Sequence, residues 1–261
     1  MLTAADSPIK SPHLAGVRWA GRMLADFVYP PACVLCAAPA EALPLCEKCG
    51  GALDQLTARP ACGRCGYPLA NEADDCPRCG GRGIAHIDRM ARLGVFADPL
   101  RQMVHRMKYR GGWLLAEFFA ERLWSHPPVR EILRGADCLV PIPLHPLRHW
   151  GRGYNQAELI ARRLAARSGV ALRHPLVRLR HTRTQIHIHS QQKRWDNMRD
   201  AFGLVDAESV RARRAVLVDD VITSGATVCC AAEALAGAGL TQVSAIAVAV
   251  ADPRGWAFEL V

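Results

Sequence analysis

The chain has 261 residues, with 33 Lys and Arg against 24 Asp and Glu, a formal net charge of +9. Half of the residues are hydrophobic, 22% are charged and 6% are aromatic, which excludes a disordered or fibrous chain and allows one large domain or two unequal ones. The longest apolar run, Val243 to Ala251, is nine residues and is interrupted by Ser244, whereas a membrane-spanning helix needs about 20 residues, so no membrane insertion is expected.

In chain order, residues 12–28 fit an amphipathic helix capped by Ser11, with Leu14, Val17, Leu24, Phe27 and Val28 on one face. Arg18, Arg22 and Asp26 break any signal-peptide core there, so a cytoplasmic protein is expected. Residues 31–83 are rich in Gly, Pro, Cys and Ala and show no sustained period, as in a module stapled by metal instead of built on a core. Beyond residue 84 strands and helices alternate. Strands are predicted at Arg89 to Phe96, Cys138 to Ile142, Leu176 to Leu179, Ala215 to Asp220 and Val243 to Val250. Helices are predicted from Asp98 to Tyr109, Trp113 to Trp124, Tyr154 to Arg167 and Ala226 to Ala238. That alternation predicts an α/β domain with a mostly parallel sheet and flanking helices. The expected organisation is a helix over 1–30, a cysteine module over 31–83 and an α/β domain over 84–261.

Eight of the 11 cysteines form four C-x-x-C pairs, Cys33/Cys36, Cys46/Cys49, Cys62/Cys65 and Cys76/Cys79. In a reducing compartment this spacing points to metal instead of disulfides. Two knuckles make one closed tetrahedral Cys₄ site, so eight thiolates predict two structural Zn²⁺ ions. Sequential pairing is favoured and cross-bracing stays open. Cys138, Cys229 and Cys230 read as small buried hydrophobes.

The segment Ala215 to Thr227 ends an apolar strand in Asp219-Asp220, then runs through Val221, Ile222, Thr223, Ser224, Gly225, Ala226 and Thr227 into a helix. Loop N–H groups and hydroxyls at a helix N-terminus cradle an anion, and adjacent carboxylates accept hydrogen bonds from sugar hydroxyls. A ribose 5-phosphate offers both. Here the chain resembles the type I phosphoribosyltransferases. The resemblance implies that Asp219 and Asp220 hold the ribose of phosphoribosyl pyrophosphate (PRPP), bound with Mg²⁺, while the loop holds the 5′-phosphate.

Further segments narrow the resemblance: Met107 to Gly112, Val140 to His145, Arg152-Gly153-Tyr154-Asn155-Gln156, then Gln185, Arg194, Asn197 and Ala201-Phe202. With the cysteine module ahead of them, they resemble the ComF family of competence and gluconate-associated phosphoribosyltransferase-like proteins. This family joins a double zinc ribbon to a type I phosphoribosyltransferase fold. The resemblance implies that Arg148 and Arg152 contact pyrophosphate. It assigns Arg183, Gln185, Lys193 and Arg194 to a closing loop, and Lys108 and Tyr109 to the hood over a second substrate. Asp219, Asp220 and Arg152 are then the candidate catalytic residues, although the same site would serve a PRPP sensor or a metabolic transferase of unidentified acceptor. The resemblance also implies a role in DNA uptake, with single-stranded DNA and an uptake partner such as a helicase. Charge supports a phosphate-bearing partner: residues 148–199 hold twelve basic residues against Glu158 and Asp196. Arg162, Arg163 and Arg167 within that stretch read as a solvated helix face.

Overall fold

The computed structural model describes residues 31–41, 44–71, 74–109, 112–180, 198, 200–210 and 214–251. The helix expected over 12–28 lies outside the described residues, as do Arg183, Gln185, Lys193 and Arg194. The chain divides into two compact units between Gly50 and Gly51.

The larger unit is built on a five-stranded sheet. Its strands are β1 (Arg89–Val95), β2 (Cys138–Pro141), β3 (Ala171–Leu172), β6 (Arg214–Ile222) and β7 (Gln242–Val250), in the order β1-β7-β6-β2-β3. Every pairing is parallel. Parallel strands need helical crossovers on both faces, which is why β7 is a nearly unbroken buried apolar run from Val243 to Val250. A separate antiparallel pair is formed by β4 (Leu176–Arg178) and β5 (Phe202–Leu204).

Among the described residues the helices are α1 (Glu47–Thr57), α2 (Leu100–Met107), α3 (Trp113–Ser125), α4 (Pro127–Arg134), α5 (Pro146–Arg152), α6 (Gln156–Ser168) and α7 (Ala226–Ala236). Helix α6 starts two residues later than expected because Asn155 caps it, its side chain accepting from the Ala157 N–H at 3.1 Å. Asp98 does not cap α2; its carboxylate binds Arg101 at 2.9 Å and the helix begins after Pro99. Helices α1, α4 and α5 were not expected. Each of α4 and α5 is short and opens on a proline at its first turn. Helix α4 buries Val129, Ile132 and Leu133, the i, i+3, i+4 spacing of a core-facing stripe. Among the described residues no helix is long and apolar enough to cross a membrane.

The strand order places the site. The chain leaves β2 toward β3 on one side of the sheet and leaves β6 toward β7 on the other, while β2 and β6 are neighbours. Diverging connections open a crevice at the carboxyl ends of two adjacent strands, the usual ligand position in an open parallel sheet.

Candidate functional site

The crevice above β2 and β6 is a pocket lined by Ile142, Leu144, Arg148, Arg152, Asn155, Gln156 and Ala157 on one side. Asp219, Asp220, Val221, Thr223 and Thr227 line the other, with Lys108 and Arg178 completing the wall. Strand β6 runs through both acids to Ile222, so the carboxylates are fixed by the sheet ladder and the loop starts only at Thr223. Gly225 has φ +86°, the left-handed conformation that opens α7. Ile222, Ser224 and Ala226 are buried and do not line the pocket. The amides of Ser224 and Gly225 donate to no group among the described residues, as an anion cradle requires.

A Cβ on Gly225 would sit 3.0–3.1 Å from three carbons of Ile84. Gly225→Ala is therefore expected to lower the unfolding free energy by about 1–3 kcal/mol, from the left-handed φ and the overpacking together, read as a lower urea midpoint.

The acids have unequal surroundings. Asp220 is paired with Lys108, Nζ to Oδ2 3.1 Å, with both side chains mostly buried. Asp219 receives the Asp220 N–H at 2.8 Å. Burial, then the neighbouring charge of Asp220, pushes Asp219 up to about 7. Lys108 is held in reach by Tyr154, whose hydroxyl lies 2.5 Å from the Met107 carbonyl and 2.8 Å from that of Tyr109. The Tyr109 ring itself is exposed and does not line the pocket.

Opposite stand the cations. Arg148 and Arg152 lie one helical turn apart on α5, which is capped by the His145 ring. Arg152 donates to Gln156 at 3.2 Å, and Asn155 holds the loop by donating to the Ile142 carbonyl at 2.9 Å. Arg178 was missed in the sequence reading. It reaches the pocket from β4, almost fully buried, with its guanidinium 5.4 Å from the Phe202 ring centre. A single charge inside the apolar run Leu176 to Leu179 was the signal that could have found it. Burial, then Arg148, lowers Arg178 to about 10, and burial, then Arg152, lowers Arg148. Burial is the main cause in both and a neighbouring cation adds to it, so an anionic ligand in the pocket would oppose both shifts.

The basic helix face is otherwise accounted for. Arg162 pairs with Glu158, Arg163 with Glu117 and Arg167 with Glu121. These are surface ion pairs, as a solvated face predicts.

The eight knuckle cysteines form two quartets in sequence order, Cys33/Cys36/Cys46/Cys49 and Cys62/Cys65/Cys76/Cys79. Within them Cys36 lies 3.6 Å from Cys46 and 3.8 Å from Cys49, and Cys62–Cys79 and Cys65–Cys76 are 3.8 and 3.6 Å apart. A tetrahedron with Zn–S bonds of about 2.3 Å has edges of about 3.8 Å, so both quartets fit structural zinc. Pairing is sequential and not cross-braced. The first knuckles of the two ribbons repeat with an offset of 29 residues and the second knuckles with an offset of 30. Isolated bridges join Ala32 to Pro39 and Ala61 to Pro68, and positive-φ residues stand at Ala37 and Gly66. In sequence the repeat shows as Pro-Ala-Cys at 31–33 and 60–62, as Pro39 and Pro68, and as Gly-Gly after Cys49 and Cys79.

The ribbons differ in setting. In the first, Cys36 is exposed. In the second, all four cysteines are buried in a core cluster with Ile84, Met90, Ile222, Ala226 and Val250. Arg92 of β1, 1% exposed, donates to the Gly66 carbonyl at 2.7 Å and to that of Pro60 at 3.3 Å. Arg78, directly before Cys79, donates to the Thr223 carbonyl.

Residues 24–80 match the double zinc ribbon domain family and residues 152–259 the phosphoribosyl transferase domain family. The chain is 32% identical to Competence protein F of Haemophilus influenzae over 69% of this chain and 80% of that protein. It is 32% identical to DNA utilization protein YhgH of Salmonella typhimurium over 76% of this chain and 88% of that one. With Competence protein ComFC of Bacillus subtilis it shares 27% identity over 73% and 77% respectively. Similarity at this level, spanning the ribbon and the crevice alike, makes this protein a member of the ComF family.

Proposed function

We propose that this protein binds PRPP with Mg²⁺ in the switch-point crevice and acts in the handling of incoming single-stranded DNA. One observation carries the reading. Two carboxylates and a left-handed, amide-rich loop face Arg148, Arg152 and Arg178 across a single pocket. The acids would take the ribose hydroxyls, the loop the 5′-phosphate and the arginines the pyrophosphate, by bidentate donation. Mg²⁺ enters with PRPP and offsets part of the pyrophosphate charge. If turnover occurs, these residues position C1 and stabilise the departing pyrophosphate; no protein nucleophile is needed. The DNA part rests on the family, whose members are called competence and DNA utilization proteins, and on a surface. Trp150, 88% exposed, stands on α5 between Arg148 and Arg152, a stacking platform beside cations.

A second reading, a PRPP sensor without turnover, draws support from Lys108. Ribose binding must share or displace its 3.1 Å contact with Asp220, which links ligand occupancy to residues 107–109.

Calorimetry with PRPP–Mg²⁺ tests the site, and pyrophosphate release with and without single-stranded DNA separates transferase from sensor. Single-stranded DNA is expected to bind at low salt with affinity falling steeply as salt rises. Trp150→Ala is expected to weaken that binding about tenfold, with PRPP binding intact. Absence of PRPP binding at millimolar concentration would sink the reading.

A further inference from the structure

We infer that Arg78 is a positioning residue for the anion loop, through which the second zinc knuckle shapes the crevice. This deepens the PRPP reading and rests on it only for the identity of the ligand. Arg78 lies between Cys76 and Cys79, so its backbone is part of a metal knuckle. Its Nη2 donates to the Thr223 carbonyl at 2.5 Å, across 145 residues of sequence. Its Nη1 is buried with no hydrogen-bond partner among the described residues. Burying that donor without a partner costs stability that the Thr223 bond must offset.

The consequence follows from peptide geometry. A trans peptide is planar, with its C=O and the next N–H pointing in opposite directions. Fixing the Thr223 carbonyl toward Arg78 therefore turns the Ser224 N–H away from Arg78. It also keeps an oxygen lone pair out of a site meant for phosphate. Ile84, five residues after Cys79, packs against Gly225 and braces the next peptide from the same side. Two contacts from one zinc-ordered segment thus set the orientation of adjacent loop amides, while neither Arg78 nor Ile84 lines the pocket.

The test uses the full zinc-loaded chain as wild type, Arg78→Gln and Arg78→Lys. Hydrogen exchange over 223–227 reports loop order without any ligand. Calorimetry with PRPP–Mg²⁺ reports affinity, and metal analysis reports zinc content. In Arg78→Gln, exchange at the Ala226 amide, which donates to Ser224 Oγ at 3.3 Å, is expected to rise at least tenfold. PRPP affinity should fall about tenfold, equivalent to about 1.4 kcal/mol, with two zinc ions retained. Arg78→Lys, which keeps a cationic donor, should recover part of both. Unchanged exchange and affinity in Arg78→Gln would overturn the inference. Loss of zinc from both variants would also overturn it, because Arg78 would then be a structural part of the knuckle. A wild type that fails to bind PRPP refutes the ligand reading instead, and the exchange comparison still decides the role of Arg78.

Discussion

Asp219→Asn is expected to reduce PRPP affinity at least a hundredfold and, at the same time, to raise the melting temperature at pH 8. The two effects have one origin. Asp219 is held up at about 7 by burial and by the charge of Asp220, against an ordinary 3.8. Between those values the native state keeps a proton that the unfolded chain has released. Native stability therefore falls as pH rises from roughly 4 to 7 and is level above. Asparagine has no charge to bury, so the variant should lose that slope and melt a few degrees higher above pH 7. Binding suffers because a carboxylate accepting hydroxyl protons is replaced by an amide, and each charge-assisted bond is worth about 1.5–3 kcal/mol. Asp220→Asn should lose affinity as well but shift stability the other way, because it strands the mostly buried Lys108 cation. Thermal melts from pH 5 to 9 with PRPP titrations check both. A parallel pH slope in Asp219→Asn and wild type would refute the burial argument.

Cys65→Ser is expected to cost far more than Cys36→Ser, although each removes one ligand from an equivalent knuckle. Cys65 is 2% exposed in the core cluster that contains Met90 and Val250. Gly66 beside it admits no side chain, since a Cβ there would lie 2.8 Å from Val250. Losing that zinc releases four buried thiols into the body of the α/β unit. The expected result is one zinc per chain instead of two and a melting temperature lower by 10 °C or more. Cys36 is exposed, and its replacement should also remove one zinc but lower the main transition by a few degrees at most. Equal losses would show that the two ribbons carry equal structural weight.

What the sequence disclosed depended on how local the signal was. The segment Ala215 to Thr227 is contiguous, so an apolar strand, two acids and a hydroxyl-glycine loop could be read together. The cysteine pairs were legible for the same reason, whereas the choice between sequential and cross-braced pairing, left open by the sequence, came from the structure. Arg178 was not, because its strand belongs to a separate antiparallel pair and meets Asp219 only in three dimensions. Helix α4 was hidden by its length, too short for a period to stand out. The burial of the second ribbon was hidden in contacts such as Ile84 with Gly225 and Arg92 with Gly66, whose partners lie tens to more than a hundred residues away. Charge was the most misleading signal. The twelve basic residues of 148–199 suggest one continuous track, yet Arg162, Arg163 and Arg167 are taken up by glutamates on α3 and α6. Arg148, Arg152 and Arg178 converge on the pocket instead.

The strand order also sets a timetable. Among the described residues β1 pairs only with β7, Arg89 facing Ser244 and Val95 facing Val250. During synthesis the buried apolar strand β1 therefore emerges long before its neighbour exists. At ribosomal rates of about 5–20 residues per second, that interval is on the order of 10 s. Until β7 arrives, β1 is an unpaired hydrophobic edge, and the second zinc ribbon, which has already left the ribosome, offers partners to Met90 and Arg92. The Met90 N–H to the Gly63 carbonyl, at 2.7 Å, and the Arg92 bond to Gly66 are contacts available at that stage. Metal supply during translation would then govern how much newly made chain escapes aggregation, independently of what the finished protein binds.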